Sequence, residues 1–269
     1  MHVDLEQLVH EANKGDKLAL EHVLLEVKDL VYNLSLKMLL FPEDAEDASQ
    51  EILIRIVTRL STFKGQCQFK TWVYKVSTNY LLTTRGRLSR TFAMKFEDYA
   101  TFIDSGQSNE VKTSTNMGEL RLLEEEVKVS CTQGLLLCLD PQHRMTYVLG
   151  EILEFNSHEA GAILAINADT FRQQLSRARK KIRNFLRSKC GLVNKENPCR
   201  CSRKIDFLTN QQLIDPNALR FARFQERSLD LMKGINLLEE EVAVYRSNPS
   251  FEAPEALMHK IKKTLANVG

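Results

Sequence analysis

At 269 residues, 43% of them hydrophobic, the chain can build two domains, or one domain with appendages. A formal net charge of +2 excludes a globally basic protein that coats nucleic acid. No apolar run is long enough to span a bilayer and no charged-then-apolar leader opens the chain, so a cytoplasmic protein without membrane contact is expected. Its six cysteines are then more naturally thiols or metal ligands than disulfides.

Strand signals are weak and most periodic stretches repeat at helical spacing, so the class is all-α. Residues 4–13 and 16–40 read as two helices broken at Lys14 and Gly15. Leu18, His22, Leu25, Leu30, Leu34 and Met38 are the expected buried side of the second. Pro42 cannot continue that helix but suits the start of the next, residues 43–60, whose first turn is acidic. Ala48, Ile52, Ile56 or Leu53, and Leu60 form its apolar side. Glu46, Asp47, Gln50, Glu51 and Arg55 form its outer side, which is either a solvated face or a partner surface. A loop at 61–68 carries Gly65. Residues 69–82 form a further helix that mixes Phe69, Trp72, Val73, Val76 and Tyr80 with Lys70 and Lys75. Aromatics among lysines can stack on unpaired bases while neutralising phosphates, and they can equally be core. Arg85, Arg87 and Arg90 add a basic tail.

Residues 91–115 lose periodicity and read as a linker. A capped helix follows at 116–138, with Gly134 as a candidate interruption, and Asp140–Pro141 opens another that runs to about 153. Residues 157–165 and 167–186 then give a short helix, a tight turn and a longer basic helix, the helix-turn-helix pattern. In the second helix Phe171, Leu175, Ala178, Ile182 and Phe185 fall on one face. Arg172, Gln173, Gln174, Arg177, Lys180, Lys181 and Arg183 fall on the other, and Asn167 or Asp169 can cap its start. From 168 to 189 eight Lys or Arg oppose a single acid, Asp169. The outward residues are the types that reach base edges and phosphates, although a solvated basic face has the same composition. Acids gather instead at 43–51 and 124–126, which suits protein-facing surfaces separate from a DNA face.

Two stretches in this order carry a resemblance. The segments AEDASQEILIRI (45–56) and FKGQCQFKTWVYKVSTNYL (63–81), followed by LDPQHRMTYVLGEILEFNSHEAGAILAINADTFRQQLSRARKKI (139–182), resemble bacterial RNA polymerase sigma factors of the sigma-70 family, in the extracytoplasmic-function group. The resemblance covers about residues 1–187. It implies sigma region 2 at 1–90, a linker at 91–115, and a helix-turn-helix sigma region 4 at 116–188. The implied function is binding of core RNA polymerase, through its β′ clamp and β subunits, and promoter-specific initiation of transcription. No catalysis and no cofactor are required of such a chain. By matching position, Asp47, Gln50, Glu51 and Arg55 would meet the polymerase. Lys64, Gln66, Gln68, Lys70, Trp72, Lys75 and Asn79 would bind the −10 element. Arg172, Gln173, Gln174, Arg177, Lys180 and Lys181 would bind the −35 element, with Arg179 and Arg183 near phosphate. An anti-sigma factor is a further partner that the resemblance admits. The alternative is a helix-turn-helix DNA-binding regulator that acts without core polymerase. Two departures stand out: Ala165 occupies the turn position of the family's glycine, and Gln66 and Cys67 replace its usual acid.

Residues 189–269 have no counterpart in the minimal family pattern and read as a helical C-terminal extension, either regulatory or passively stabilising. Asp215–Pro216 is expected to start a helix, 219–245 to form a long one broken at Asn248–Pro249, and 255–266 to form the last. Cys190, Cys199 and Cys201 lie close in sequence, as weak candidates for a metal or thiol-sensing site. The spacing is not that of paired zinc ligands and supplies no fourth residue, so a structural or incidental cluster is the competing reading.

Overall fold

The computed structural model describes residues 4–83, 94–108, 116–221 and 242–266, which are helices and connecting turns. The basic tail Arg85, Arg87 and Arg90, parts of the linker, and most of the long helix expected at 219–245 lie outside the described residues.

Two aspartates start the fold. Asp4 caps α1 (Leu5–Asn13), its carboxylate accepting from the Glu6 N–H, and Asp16 caps α2 (Lys17–Leu39) by accepting from Leu18 and Ala19. The buried face of α2 is Val23, Leu24, Val27, Val31, Leu34 and Met38. Leu34 and Met38 were expected there, but Leu18 and Leu25 were not expected outside: they are 71% and 41% exposed, and His22 is exposed as well. Leu18 and Leu25 are seven residues apart, so they form a stripe of their own. α2 packs on α1 and α3, and its buried residues lie beside that stripe. α3 (Pro42–Arg59) buries Ala48, Ile52, Leu53 and Ile56 as its periodicity predicts, and Leu60 after it. α4 (Phe69–Thr83) is held at its start from a distance, the Glu6 carboxylate accepting from the Phe69 N–H at 2.8 Å.

The expected linker contains a helix, α5 (Phe96–Asp104), which buries Tyr99 and Ile103. Its partner lies 32 residues away, where the Tyr99 hydroxyl donates to the Cys131 carbonyl at 2.6 Å, so local periodicity gave little sign of it. α6 (Met117–Leu137) is capped by Asn116 and runs unbroken through Gly134, where a Cβ would come 2.9 Å from the Tyr99 hydroxyl. α7 (Pro141–Tyr147) continues as a π-turn over Val148–Ile152. The helix-turn-helix follows as α8 (Ser157–Leu164) and α9 (Ala168–Lys189).

These halves are not merely tethered. α8 packs on α4, the Tyr74 and Phe155 rings meet edge to face at 4.9 Å, and the Thr78 hydroxyl donates to the Met145 sulfur at 3.7 Å. Arg144, only 2% exposed, donates to the carbonyls of Leu136, Leu137 and Leu139 and, at 2.6 Å, to that of Met38. These carbonyls sit at the C-terminal ends of α6 and α2, where the helix dipole favours a cation.

The extension returns across both halves. Asp215–Pro216 begins a turn, not the expected helix, because the Asp215 side chain and carbonyl accept from Asn217 and Ala218. The described ends of the long expected helix contain only α11 (Ala243–Arg246), after the short α10 (Ile205–Asn210). α12 (Glu255–Ala266) forms as expected and packs on α3, burying Leu257 and Ile261. The acids at 124–126, expected on a protein-facing surface, are partly consumed inside: Glu126 accepts from the N–H groups of Arg220 and Phe221, and Glu125 pairs with Lys128 at 2.7 Å. A buried carboxylate needs such partners, and for Glu126 the extension supplies them.

Candidate nucleic-acid interface

The helix-turn-helix is built by local chemistry. Asn156 and Glu159 form a reciprocal capping box at the start of α8. Ala165 takes φ 55°, ψ 39°, the left-handed conformation, so the alanine accepts strain where a glycine would have none. Gly161 makes room for the turn: a Cβ there would lie 2.8 Å from the Ile166 carbonyl oxygen. Asn167, and not Asp169, caps α9, accepting from Thr170 at 2.7 Å.

Phe171, Ala178, Ile182 and Phe185 are buried and Leu175 is half-buried. Arg172, Gln173, Arg177, Lys180, Lys181 and Arg183 are exposed on the opposite side. Two residues assigned outward roles are engaged inward. Gln174 accepts from the Thr146 hydroxyl at 3.1 Å and so braces α9 on α7, while Arg179 pairs with Glu151. Arg172 bonds the Ser157 hydroxyl at 3.0 Å and pairs with Asp169, two exposed contacts that a phosphate or base can replace.

In the other half, Lys64, Gln66, Gln68, Lys70, Lys75 and Asn79 are all exposed, along the 61–68 loop and the outer side of α4. Trp72 is half-buried, stacked on the fully buried Phe69 with ring centroids 5.5 Å apart, and Phe63 closes the cluster. The aromatics are therefore mainly core and the polar residues are the accessible ones. Tyr74 lies against the helix-turn-helix, and its burial pushes the phenol up to about 12.

On α3, Asp47 and Glu51 are exposed and Gln50 and Arg55 half-buried, with the Arg55 guanidinium 4.9 Å from the Tyr80 ring centre. Burial, then the like charges of Asp47 and Glu43, raise the Asp44 carboxyl. An acidic face under such mutual repulsion is suited to a basic partner. α12 flanks this face, with Lys260 at 3.6 Å from Glu46.

Cys190, Cys199 and Cys201 do come together in space. Cys190 and Cys199 form a β-bridge, and all three line one cavity with Cys131 of α6. Burial pushes the Cys131 thiol up to about 12 and raises the other three. Sequence reasoning placed Cys131 with Cys138 on the helix before the helix-turn-helix and did not join it to the other three, since it sits at an ordinary half-buried helix position. It also gave no role to Arg144, although the arginine stands in the LDPQHRM stretch that carries the resemblance.

Comparison with known proteins matches the family model Sigma-70 region 2 over residues 24–91, the stretch that contains α3 and α4. The chain is 28% identical over 192 residues to the ECF RNA polymerase sigma factor SigW of Bacillus subtilis, covering 70% of this chain and 99% of that protein. It is 26% identical over 181 residues to the ECF RNA polymerase sigma-E factor of Escherichia coli K12, covering 66% and 91%. Among solved structures it is similar to CnrH in complex with the cytosolic domain of CnrY, at a TM-score of 0.49 and 16% identity, over 68% of this chain and 97% of that one. Residues 24–91 thus match region 2 of the sigma-70 family, and the chain, with its acidic helix, its aromatic and lysine helix and its basic helix-turn-helix in the family's order, is similar to RNA polymerase sigma factors of the extracytoplasmic-function group.

Proposed function

We propose that this chain is a sigma factor of the extracytoplasmic-function group and meets core RNA polymerase through Asp47, Gln50, Glu51 and Arg55 of α3. Lys64, Gln66, Gln68, Lys70, Lys75 and Asn79 then contact the opened −10 strand, with Trp72 as a partly buried stacking platform. Arg172, Gln173 and Arg177 read base edges of the −35 element, and Lys180, Lys181 and Arg183 hold its phosphates. Gln174 and Arg179 position α9 on Thr146 and Glu151 and contribute to promoter binding through that placement. The binding energy of these contacts selects and opens the promoter, the polymerase performs the chemistry, and the cytoplasm is the site of action. Among the described residues no helix is long and apolar enough to cross a membrane.

The observation that carries this reading is the basic face of α9 opposite a packed apolar face, in one chain with α3, whose Asp47 and Glu51 are exposed. A regulator that ignores polymerase has no use for the second surface. The C-terminal extension then acts as a brake, because α12 lies along α3.

Transcription from a genomic promoter library, with and without core polymerase, tests the proposal. Promoter binding should depend on core, and Asp47→Ala with Glu51→Ala should weaken core association. Deleting residues 242–269 should raise core association. Sequence-specific binding by the free chain, equal to that with core present, would support the polymerase-independent regulator instead.

A further inference from the structure

The cysteine loop belongs to neither contact surface. Its sequence offers Cys190, Cys199 and Cys201 and lacks a fourth ligand. The fold brings Cys131 from α6 to the same region: all four cysteines are among the residues that line a cavity of about 270 Å³ beside Tyr99, whose hydroxyl lies 3.5 Å from the Cys131 sulfur. We propose that Cys131, Cys190, Cys199 and Cys201 form a structural four-thiolate zinc site that fastens the C-terminal extension to α6.

The loop is built as a ligand loop. Cys190 and Cys199 are bridged through their backbones. Between them the chain approaches so closely that a Cβ on Gly191 would lie 2.0 Å from the Cys199 carbonyl oxygen, so only glycine fits. Val193 and Asn194 close a tight turn by donating to the Cys190 carbonyl at 3.3 and 3.0 Å.

Between residues 190 and 203 Gly191 alone is buried, so the loop has little apolar core of its own. Side chains bond it instead to backbone: Asn197 donates to the Arg187 and Cys190 carbonyls at 3.0 and 3.1 Å, and Arg200 donates to that of Cys199 at 2.8 Å. A coreless loop of this kind is where small folds use a metal. Lys204 and Arg200 stand beside Cys199 and oppose the negative charge that four thiolates leave around a divalent ion. Zinc suits this donor set because it takes four sulfurs tetrahedrally and has no redox chemistry.

Among the described residues no three His, Cys, Asp or Glu side chains yet converge closely enough to hold an ion. Ligation therefore turns the thiols inward. Each sulfur that bonds zinc gives its proton to solvent, and no oxidant or reductant takes part.

The test uses the full chain. Zinc content is measured after purification from zinc-replete cells, cobalt(II) is substituted for zinc, and cysteine alkylation is mapped by mass spectrometry before and after chelation. One zinc per chain is expected, and the cobalt form should give the intense charge-transfer and tetrahedral d–d bands of a tetrathiolate. The four cysteines should resist alkylation until the chelator is added, while Cys67 is labelled throughout. Cys131→Ser should lose stoichiometric zinc and Cys67→Ser should keep it. The alkylation map needs no variant and stands even if Cys131→Ser fails to fold. A zinc-free protein that takes up no cobalt, alkylation indifferent to zinc, full zinc retention in Cys131→Ser, or a Cys190–Cys199 disulfide in place of the ion would each overturn the proposal.

Discussion

The basic helix α9 and the cysteine loop that follows it are neighbours in sequence and opposites in how they are ordered. α9 is organised within itself and its own turn: an asparagine cap, an apolar stripe at three- and four-residue steps, and a basic reverse side. The loop at 190–201 is organised by a backbone bridge, a glycine that yields to another strand of chain, and a thiol from a helix some sixty positions earlier. Order of the first kind is divided among many small contributions. Order of the second kind hangs on single residues, and substitutions should tell the two apart by size.

The largest effect is expected at Arg144, which ties α2 to α6 across a long sequence distance. Arg144→Met should lower the unfolding free energy by about 3 kcal/mol or more in urea titrations, because four carbonyls lose a charged donor in a dry place. Gly191→Ala should cost about 2 kcal/mol, and it should expose Cys190 and Cys199 to alkylation. In the locally ordered region Arg172→Ala or Arg177→Ala should leave the melting temperature alone. Each should cost roughly 1–3 kcal/mol of discrimination at one −35 position, read from binding to a promoter series. Asn156→Ala should cost about 1 kcal/mol of stability through the lost cap. The smallest effect is a gain: Ala165→Gly relieves the left-handed alanine and should stabilise by about 0.5 kcal/mol, after glycine's greater unfolded entropy is counted. If Gly191→Ala proved as mild as Ala165→Gly, the contrast between the two regions would collapse.

The same contrast explains what could be read from the chain alone. α3, α8, α9 and α12 were legible because period and charge, and on α8 and α9 an asparagine cap, all lie within a single segment. On α2 the helix was legible and its face was not, since Leu18 and Leu25 look as apolar as Val23 and Val27 and the helices packed on α2 choose between them. α5 hid in a stretch without clear period because its two buried residues, Tyr99 and Ile103, are anchored by distant parts of the fold. In the set proposed to face DNA, residue type singled out Arg172, Arg177 and the lysines, which are exposed. It could not tell that Gln174 and Arg179 would turn toward Thr146 and Glu151, because an amide or guanidinium serves a protein partner as well as a base. Cys131 was visible only as a companion of Cys138 on one helix, because nothing local ties it to a loop some sixty positions later.

The contact of α4 with α8, reinforced by the Arg144 bond to Met38, bears on what a protease would find. A chain nicked between residues 84 and 93 has lost its covalent connection and none of these contacts. The two fragments should therefore travel as one particle in gel filtration and separate only in denaturant. Intact migration would then say nothing about an unbroken backbone.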